Sequence, residues 1–193
     1  MVVATGHYHA CNLPEIPGLA RLKRQYPDRV RHSKLYRTPE QYKDQNVLLI
    51  GAGVSSMDIA RDLGQTARTV IQSSRGGPYD LPSHMLPDNG VRIGGVKSFE
   101  DSQSSSVGPD GNVSITVNLQ SGQQLCDVNQ VIVCTGYHVS FPFMRQFHAD
   151  GVAAAEADET CLVTNGQQTH NLHKDIFYIP DPTLAFVGVP YVS

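Results

Sequence analysis

Apolar and polar positions alternate between two periods along this chain, and the change of period marks its elements. Val47, Leu48, Leu49 and Ile50 form an unbroken apolar run, the pattern of a strand covered on both faces. Gly51-Ala52-Gly53 interrupts it. Ser56, Ile59, Ala60 and Leu63 then recur at helical spacing, and Gly64 stands where a helix would stop. Thr69 to Gln72 read as the next strand. Residues 46–75 are therefore strand, glycine turn, helix, strand. Val131-Ile132-Val133-Cys134 is a second buried run, ending in Thr135-Gly136. Val2 to Thr5 repeat that ending as Thr5-Gly6. Residues 113–119 alternate strictly, as a half-exposed strand does, and residues 91–99 read as one extended strand. Together with 123–126 they form a β-meander, inserted where a doubly wound fold would place another crossover. Residues 176–179 and 184–188 read as strands, and 141–147 as a short helix. Residues 19–45 read as a polar connector, with a possible short strand at Val30. Residues 76–87 read as a Pro/Gly loop, and the Ser/Asp/Gly-rich stretch 100–112 is expected to lack fixed structure at its tip.

The glycine turn brings in chemistry. Gly51 permits the tight bend, and Gly53 lets the backbone approach a pyrophosphate closely. Ser56 takes the third position of the fingerprint and is small enough for helix–strand packing. The helix start at Ser55 and Ser56 offers free N–H groups and positive dipole to a phosphate. At the end of the second strand an NAD binder carries an acid for the ribose 2′-hydroxyl. Here Ser73, Ser74 and Arg75 stand instead. Ser74 and Arg75 suit a 2′-phosphate, so the cofactor is read as NADPH. Thr135 and Gly136, at the carboxyl end of a buried strand, would lie at the switch point of the sheet, where a ligand approaches.

Composition narrows the class. The chain has 193 residues, 40% hydrophobic and 17% charged, with a net charge of −3. That suits a soluble globular protein and, with no basic run, gives no nucleic-acid partner. No apolar stretch reaches membrane-spanning length, and the first residues lack the basic and apolar regions of a signal peptide. Cys11, Cys126, Cys134 and Cys161 contain no CxxC, which argues against a disulfide framework, a zinc site and a redox dithiol. Idle thiols place the protein in a reducing cytoplasm. The pairs His7/His9 and His170/His173 lack the further ligands a metal site needs.

In this order the residues resemble the flavin-containing monooxygenases of the N,N-dimethylaniline type. The Ala4-Thr5-Gly6 strand end is followed by Pro14-Glu15-Ile16-Pro17-Gly18. A weakened form of the motif FxGxxxHxxxY comes next: His32 and Tyr36 match, while Tyr26 replaces the Phe and Asp28 the Gly. The fingerprint at Gly51, Gly53, Ser55 and Ser56, then Ser74-Arg75, Thr135-Gly136-Tyr137 and the segment 184–190 complete the series. The resemblance implies an α/β flavoprotein with two dinucleotide-binding domains. A Rossmann-like NADP-binding domain with the inserted meander would occupy 46–136. Residues 1–18 and 137–193 would be parts of the FAD-binding domain, and 19–45 the connector between them. It further implies that NADPH reduces FAD, and that the reduced flavin uses molecular oxygen to oxygenate a soft nitrogen or sulfur of a small molecule. Thr5, Gly6 and Gly188 would lie against FAD. FAD requires a glycine fingerprint of its own, and the one glycine turn here is assigned to NADPH. The chain therefore reads as an internal or truncated piece, and no catalytic residue is named. Two alternatives stay open: a disulfide-reductase-like flavoprotein and a non-catalytic NADP-binding module.

Overall fold

The long apolar runs become strands of four or five residues, and the strands nearer the termini are shorter. The computed structural model describes residues 1–100 and 114–189, so the tip expected at 100–112 lies almost wholly outside the described residues. In chain order the strands are β1 (Val2–Val3), β2 (Ala10–Cys11), β3 (Val30–His32), β4 (Asn46–Ile50) and β5 (Thr69–Ser73). Then come β6 (Gly90–Ile93), β7 (Val96–Phe99), β8 (Ile115–Leu119), β9 (Gln124–Val128) and β10 (Gln130–Val133). The last are β11 (Tyr137–His138), β12 (Leu172–His173), β13 (Phe177–Tyr178) and β14 (Ala185–Phe186). The α-helices among the described residues are α1 (Leu19–Gln25) and α2 (Val54–Leu63). The chain divides into a large unit, 13–135, and a small unit made of 1–12 and 136–193.

The large unit is built on a five-stranded sheet in the order β3-β10-β4-β5-β6, parallel throughout. Each of its inner strands alternates between two buried faces. Val47, Leu49, Val70 and Ile132 pack with Ile59, Ala60 and Leu63 of α2 on one face. Leu48, Ile50, Ile71, Val131 and Val133 pack on the other with Leu19 and Leu22 of α1 and with β7, β8 and β9. Each large apolar side chain so buried contributes about 1.5–3 kcal/mol. The helical stripe on α2 is thus what anchors the glycine turn to the sheet.

Strands β7, β8 and β9 form the expected antiparallel meander between β6 and β10. Strand β8 alternates buried and half-buried positions, as its sequence requires. The single strand expected over 91–99 is divided. Gly94-Gly95 breaks it, so that β6 joins the parallel sheet and β7 the meander. The segment expected as a connector is also structured: α1 lays Leu19 and Leu22 on the core, and β3 extends the sheet beyond β10. Its few apolar residues are spaced as anchors among charged ones that face solvent.

The small unit holds a four-stranded sheet in the order β1-β14-β13-β12 and a separate pair, β11 with β2. Val3, Phe141, Met144, Leu162, Tyr178 and Phe186 are among the residues of its core. The short helix expected at 141–147 is a 3₁₀ segment, Pro142–Phe147, broken at Met144. The strands expected at 176–179 and 184–188 are two residues long.

Candidate functional site

Strands β4 and β10 are neighbours, yet β4 continues through α2 to β5 on its other side. Their carboxyl ends therefore flank a switch point, where open α/β sheets take ligands. Gly51 leaves β4 with φ 112° and its N–H donates to the Ser73 carbonyl at 2.9 Å. A Cβ at Gly51 would stand 2.6 Å from the Cys134 carbonyl oxygen, so the packing of β4 against β10 itself demands glycine. Gly53 differs. Its φ of −79° suits any residue, and a Cβ there would meet only the Tyr79 carbonyl, at 3.8 Å. The fold leaves room at Gly53 that a larger side chain would fill, which is the space a pyrophosphate needs.

Gly53 is also the N-cap of α2. No side chain caps this end, and its first turn carries no acid. Met57 N–H bonds the Gly53 carbonyl at 3.0 Å, so the N–H groups of Val54, Ser55 and Ser56 have no intrahelical acceptor. Ser55 is exposed; Ser56 is fully buried. The Ser56 hydroxyl accepts from Gln72 Nε2 at 2.8 Å, and Gln72 Oε1 accepts from Arg92 Nε at 2.9 Å. The side chain of Ser56 therefore serves packing, and only its N–H remains for a ligand at the helix end. Cys134 lies beside this cluster, and burial pushes its thiol up to about 12. It stays protonated and chemically inert at neutral pH.

The end of β5 is made of side chains. Ser73 is buried and its hydroxyl donates to the Gly94 carbonyl at 3.0 Å. Ser74 donates to Asp80 Oδ2 and accepts from Gly76 N–H at 2.9 Å. Arg75 is exposed and makes no hydrogen bond or ion pair with a described residue. Leu81 N–H donates to the Ala52 carbonyl at 2.9 Å, tying the loop 74–81 to the glycine turn. Sequence reading singled out Ser74 and Arg75 and did not anticipate that a Gly-Gly-Pro loop returns Asp80 to the same strand end.

Thr5, Gly6 and Gly188 belong to the small unit. Parallel pairing of β1 with β14 brings their strand ends together, and His7 Nδ1 donates to the Gly188 carbonyl at 2.7 Å. His7 Nε2 is buried and has no hydrogen-bond partner among the described residues. Thr135 closes the large unit, and Gly136 opens the second segment of the small one, its carbonyl accepting from Asn12 N–H at 3.0 Å. The structure thus assembles Gly51, Gly53, Ser55 and Ser56 with Ser74 and Arg75 in one unit, and Thr5, Gly6 and Gly188 in the other. The small unit also holds a cleft of about 520 Å³ lined in part by His138, Arg145, His148 and Asp150, which no pattern in the sequence signals.

The residues of the FxGxxxHxxxY resemblance play a structural part. His32 is buried in β3, and its Nδ1 accepts from Lys34 N–H at 3.1 Å. Tyr36 stacks on Tyr42 at 5.7 Å and donates to Asp62 at 2.5 Å, which holds the outer end of α2. Burial and the Asp62 carboxylate both raise the Tyr36 pKa above the ordinary phenol value. The four cysteines are free thiols. Among the described residues no helix is long and apolar enough to cross a membrane.

Known proteins resemble this chain over its whole length. A flavin-containing monooxygenase of Aspergillus flavus, ustF2, is 48% identical over 195 residues, covering all of this chain and 40% of the relative. The flavin-containing monooxygenase iboF of Amanita muscaria is 32% identical over 201 residues, covering 97% of this chain and 36% of the relative. The structure of S-allyl-L-cysteine S-oxygenase from Allium sativum superposes with a TM-score of 0.64 at 29% identity, over 98% of this chain and 37% of that one. The chain thus spans about 40% or less of the length of these relatives. The profile of the pyridine nucleotide-disulphide oxidoreductases matches residues 1–179, and with the parallel sheet, glycine turn and bare helix end described above the chain belongs to that family.

Proposed function

We propose that this chain carries the NADPH-binding part, and strands of the FAD-binding part, of a flavin-dependent monooxygenase acting on a small molecule. The observation that carries the reading is the glycine turn. Gly51 is fixed by packing, whereas Gly53 opens onto three helix N–H groups that have no acceptor among the described residues. Those groups fit a pyrophosphate. Exposed Arg75 fits a 2′-phosphate, which favours NADPH. In the small unit, the strand ends at Thr5-Gly6 and Gly188, with the orphaned His7 Nε2, fit a flavin nucleotide. Bound flavin would supply the redox chemistry with molecular oxygen. The chain's own groups bind and orient the nucleotides. The acceptor atom is a soft nitrogen or sulfur; the garlic relative is named as an S-oxygenase, which favours sulfur. Free thiols suit the cytoplasm.

The test is a titration of the 193-residue chain with NADPH and NADH, with the visible spectrum recorded for bound flavin. NADPH binds, and Arg75→Ala weakens it by about ten- to thirtyfold while changing NADH little, since only NADPH offers the charge that Arg75 meets. Equal losses for both nucleotides would remove Arg75 from the site.

A further inference from the structure

The acid missing from the end of β5 in sequence is present there in space. Asp80 is half-buried and held beside Ser74. Its Oδ2 accepts from the Ser74 hydroxyl and from Gly77 N–H at 3.1 Å. Its own N–H donates to the Gly77 carbonyl at 3.2 Å, and the next residue, Leu81, is bonded to Ala52 of the glycine turn. The carboxylate is thus fixed from both sides. Oδ1 receives no hydrogen bond from a described residue. Loop closure accounts for Oδ2 and leaves one carboxylate oxygen, with its charge, available. Ser74 has no such freedom, because its hydroxyl donates to Asp80 and accepts from Gly76.

We propose that Asp80 and Arg75 act as opposed determinants of nucleotide choice: Asp80 Oδ1 accepts a ribose hydroxyl and its charge opposes the 2′-phosphate that Arg75 attracts, so the site takes NADH as well as NADPH. This rests on the nucleotide-binding reading given above. A carboxylate accepting from a vicinal hydroxyl is a charge-assisted bond, stronger than a neutral one. A carboxylate near a phosphate weakens binding by like-charge repulsion. The two residues therefore pull selectivity in opposite directions across one strand end.

Asp80→Asn separates this role from loop closure, since an amide oxygen keeps the bonds to Ser74 and Gly77. The chain and this variant are titrated with NADPH and with NADH, following the fluorescence of the reduced nicotinamide. The expected result is a rise of about tenfold in the NADPH-to-NADH affinity ratio, with NADH itself weakened, as the loss of one charge-assisted bond implies. An unchanged ratio, with both nucleotides still bound, overturns the role of Asp80 and leaves the site standing. Failure of the unmodified chain to bind either nucleotide overturns both. A second measurement needs no variant: adenosine 5′-diphosphate and its 2′-phosphorylated analogue compete for the unmodified chain within about tenfold of each other, and a larger preference overturns the proposal.

Discussion

The carboxyl ends of β4 and β5 lie on adjacent strands and are built on opposite principles. At β4 the candidate site is made of main chain: a glycine lodged against the Cys134 carbonyl and a helix end whose first N–H groups have no intrahelical acceptor. At β5 the proposed recognition falls to Arg75 and Asp80, the latter held by Ser74, on a loop at the strand end. Main-chain groups can recognise the pyrophosphate that every dinucleotide carries. Charged side chains can discriminate the one substituent that differs between two dinucleotides. At the first end Gly51 cannot be altered without disturbing the sheet, while the side chains of the second can be retuned at little structural cost.

The sharpest break between the two comes within the glycine turn. Gly51→Ala places a Cβ against main chain and forces a positive φ on an L-residue, so it costs about 3 kcal/mol of stability, read as a lower urea midpoint. Gly53→Ala changes stability by less than about 1 kcal/mol and weakens NADPH and NADH alike, because the added methyl enters ligand space rather than protein. A Gly53 variant that unfolds as readily as the Gly51 one would make the whole turn structural. Gln72 comes next, since it links Ser56 beneath the first strand end to Arg92 on β6. Gln72→Leu strands both partners and costs about 2 kcal/mol in the same unfolding measurement; a loss below about 0.5 kcal/mol would show that the network contributes nothing net.

The smallest effect concerns Cys134. Its proton stays on in the folded chain up to about pH 12, while an ordinary thiol releases it near 9.0. The stabilisation from this group is fully present below pH 9 and is lost as pH rises from there toward 12. Unfolding of the chain and of Cys134→Ala at about pH 8 and about pH 10.5 should show a steeper alkaline loss in the unmodified protein. Parallel losses would assign the slope to other groups, such as Tyr42, whose phenol burial also raises.

Legibility in the sequence follows the same division. Strand β4, helix α2 and strand β5 were plain because runs and stripes of five to ten residues carry their own period. So were Gly51 and Gly53, whose spacing is local. Helix α1 was not, because Leu19 and Leu22 are its two buried residues within a charged segment. The division of 91–99 was hidden by apolar residues on both sides of Gly94-Gly95, which satisfy a single strand as well as two. The two-residue strands of the small unit are too short to show any period. Ser74 and Arg75 are candidates by their distance from the fingerprint, and their place at the end of β5 was legible. Asp80 was not, because a loop's return path is set by its turns and leaves no periodic trace. The burial of the Ser56 hydroxyl on Gln72 likewise depends on a partner sixteen residues away.

Strand β10 has one further consequence. It lies between β3 and β4, yet the meander and the whole β4–β6 segment intervene before it in the chain. Its entry is secured by Asn129, whose side chain accepts from Asn46 N–H across 83 residues. Closing so long a loop costs more entropy than the local pairings of β4 with β5 and β5 with β6. Until β10 docks, Gly51 has no Cys134 carbonyl to lodge against, and the switch-point crevice has only one wall. The topology therefore makes the candidate ligand crevice the entropically dearest part of the sheet to assemble, although its most recognisable half is written in one short local stretch.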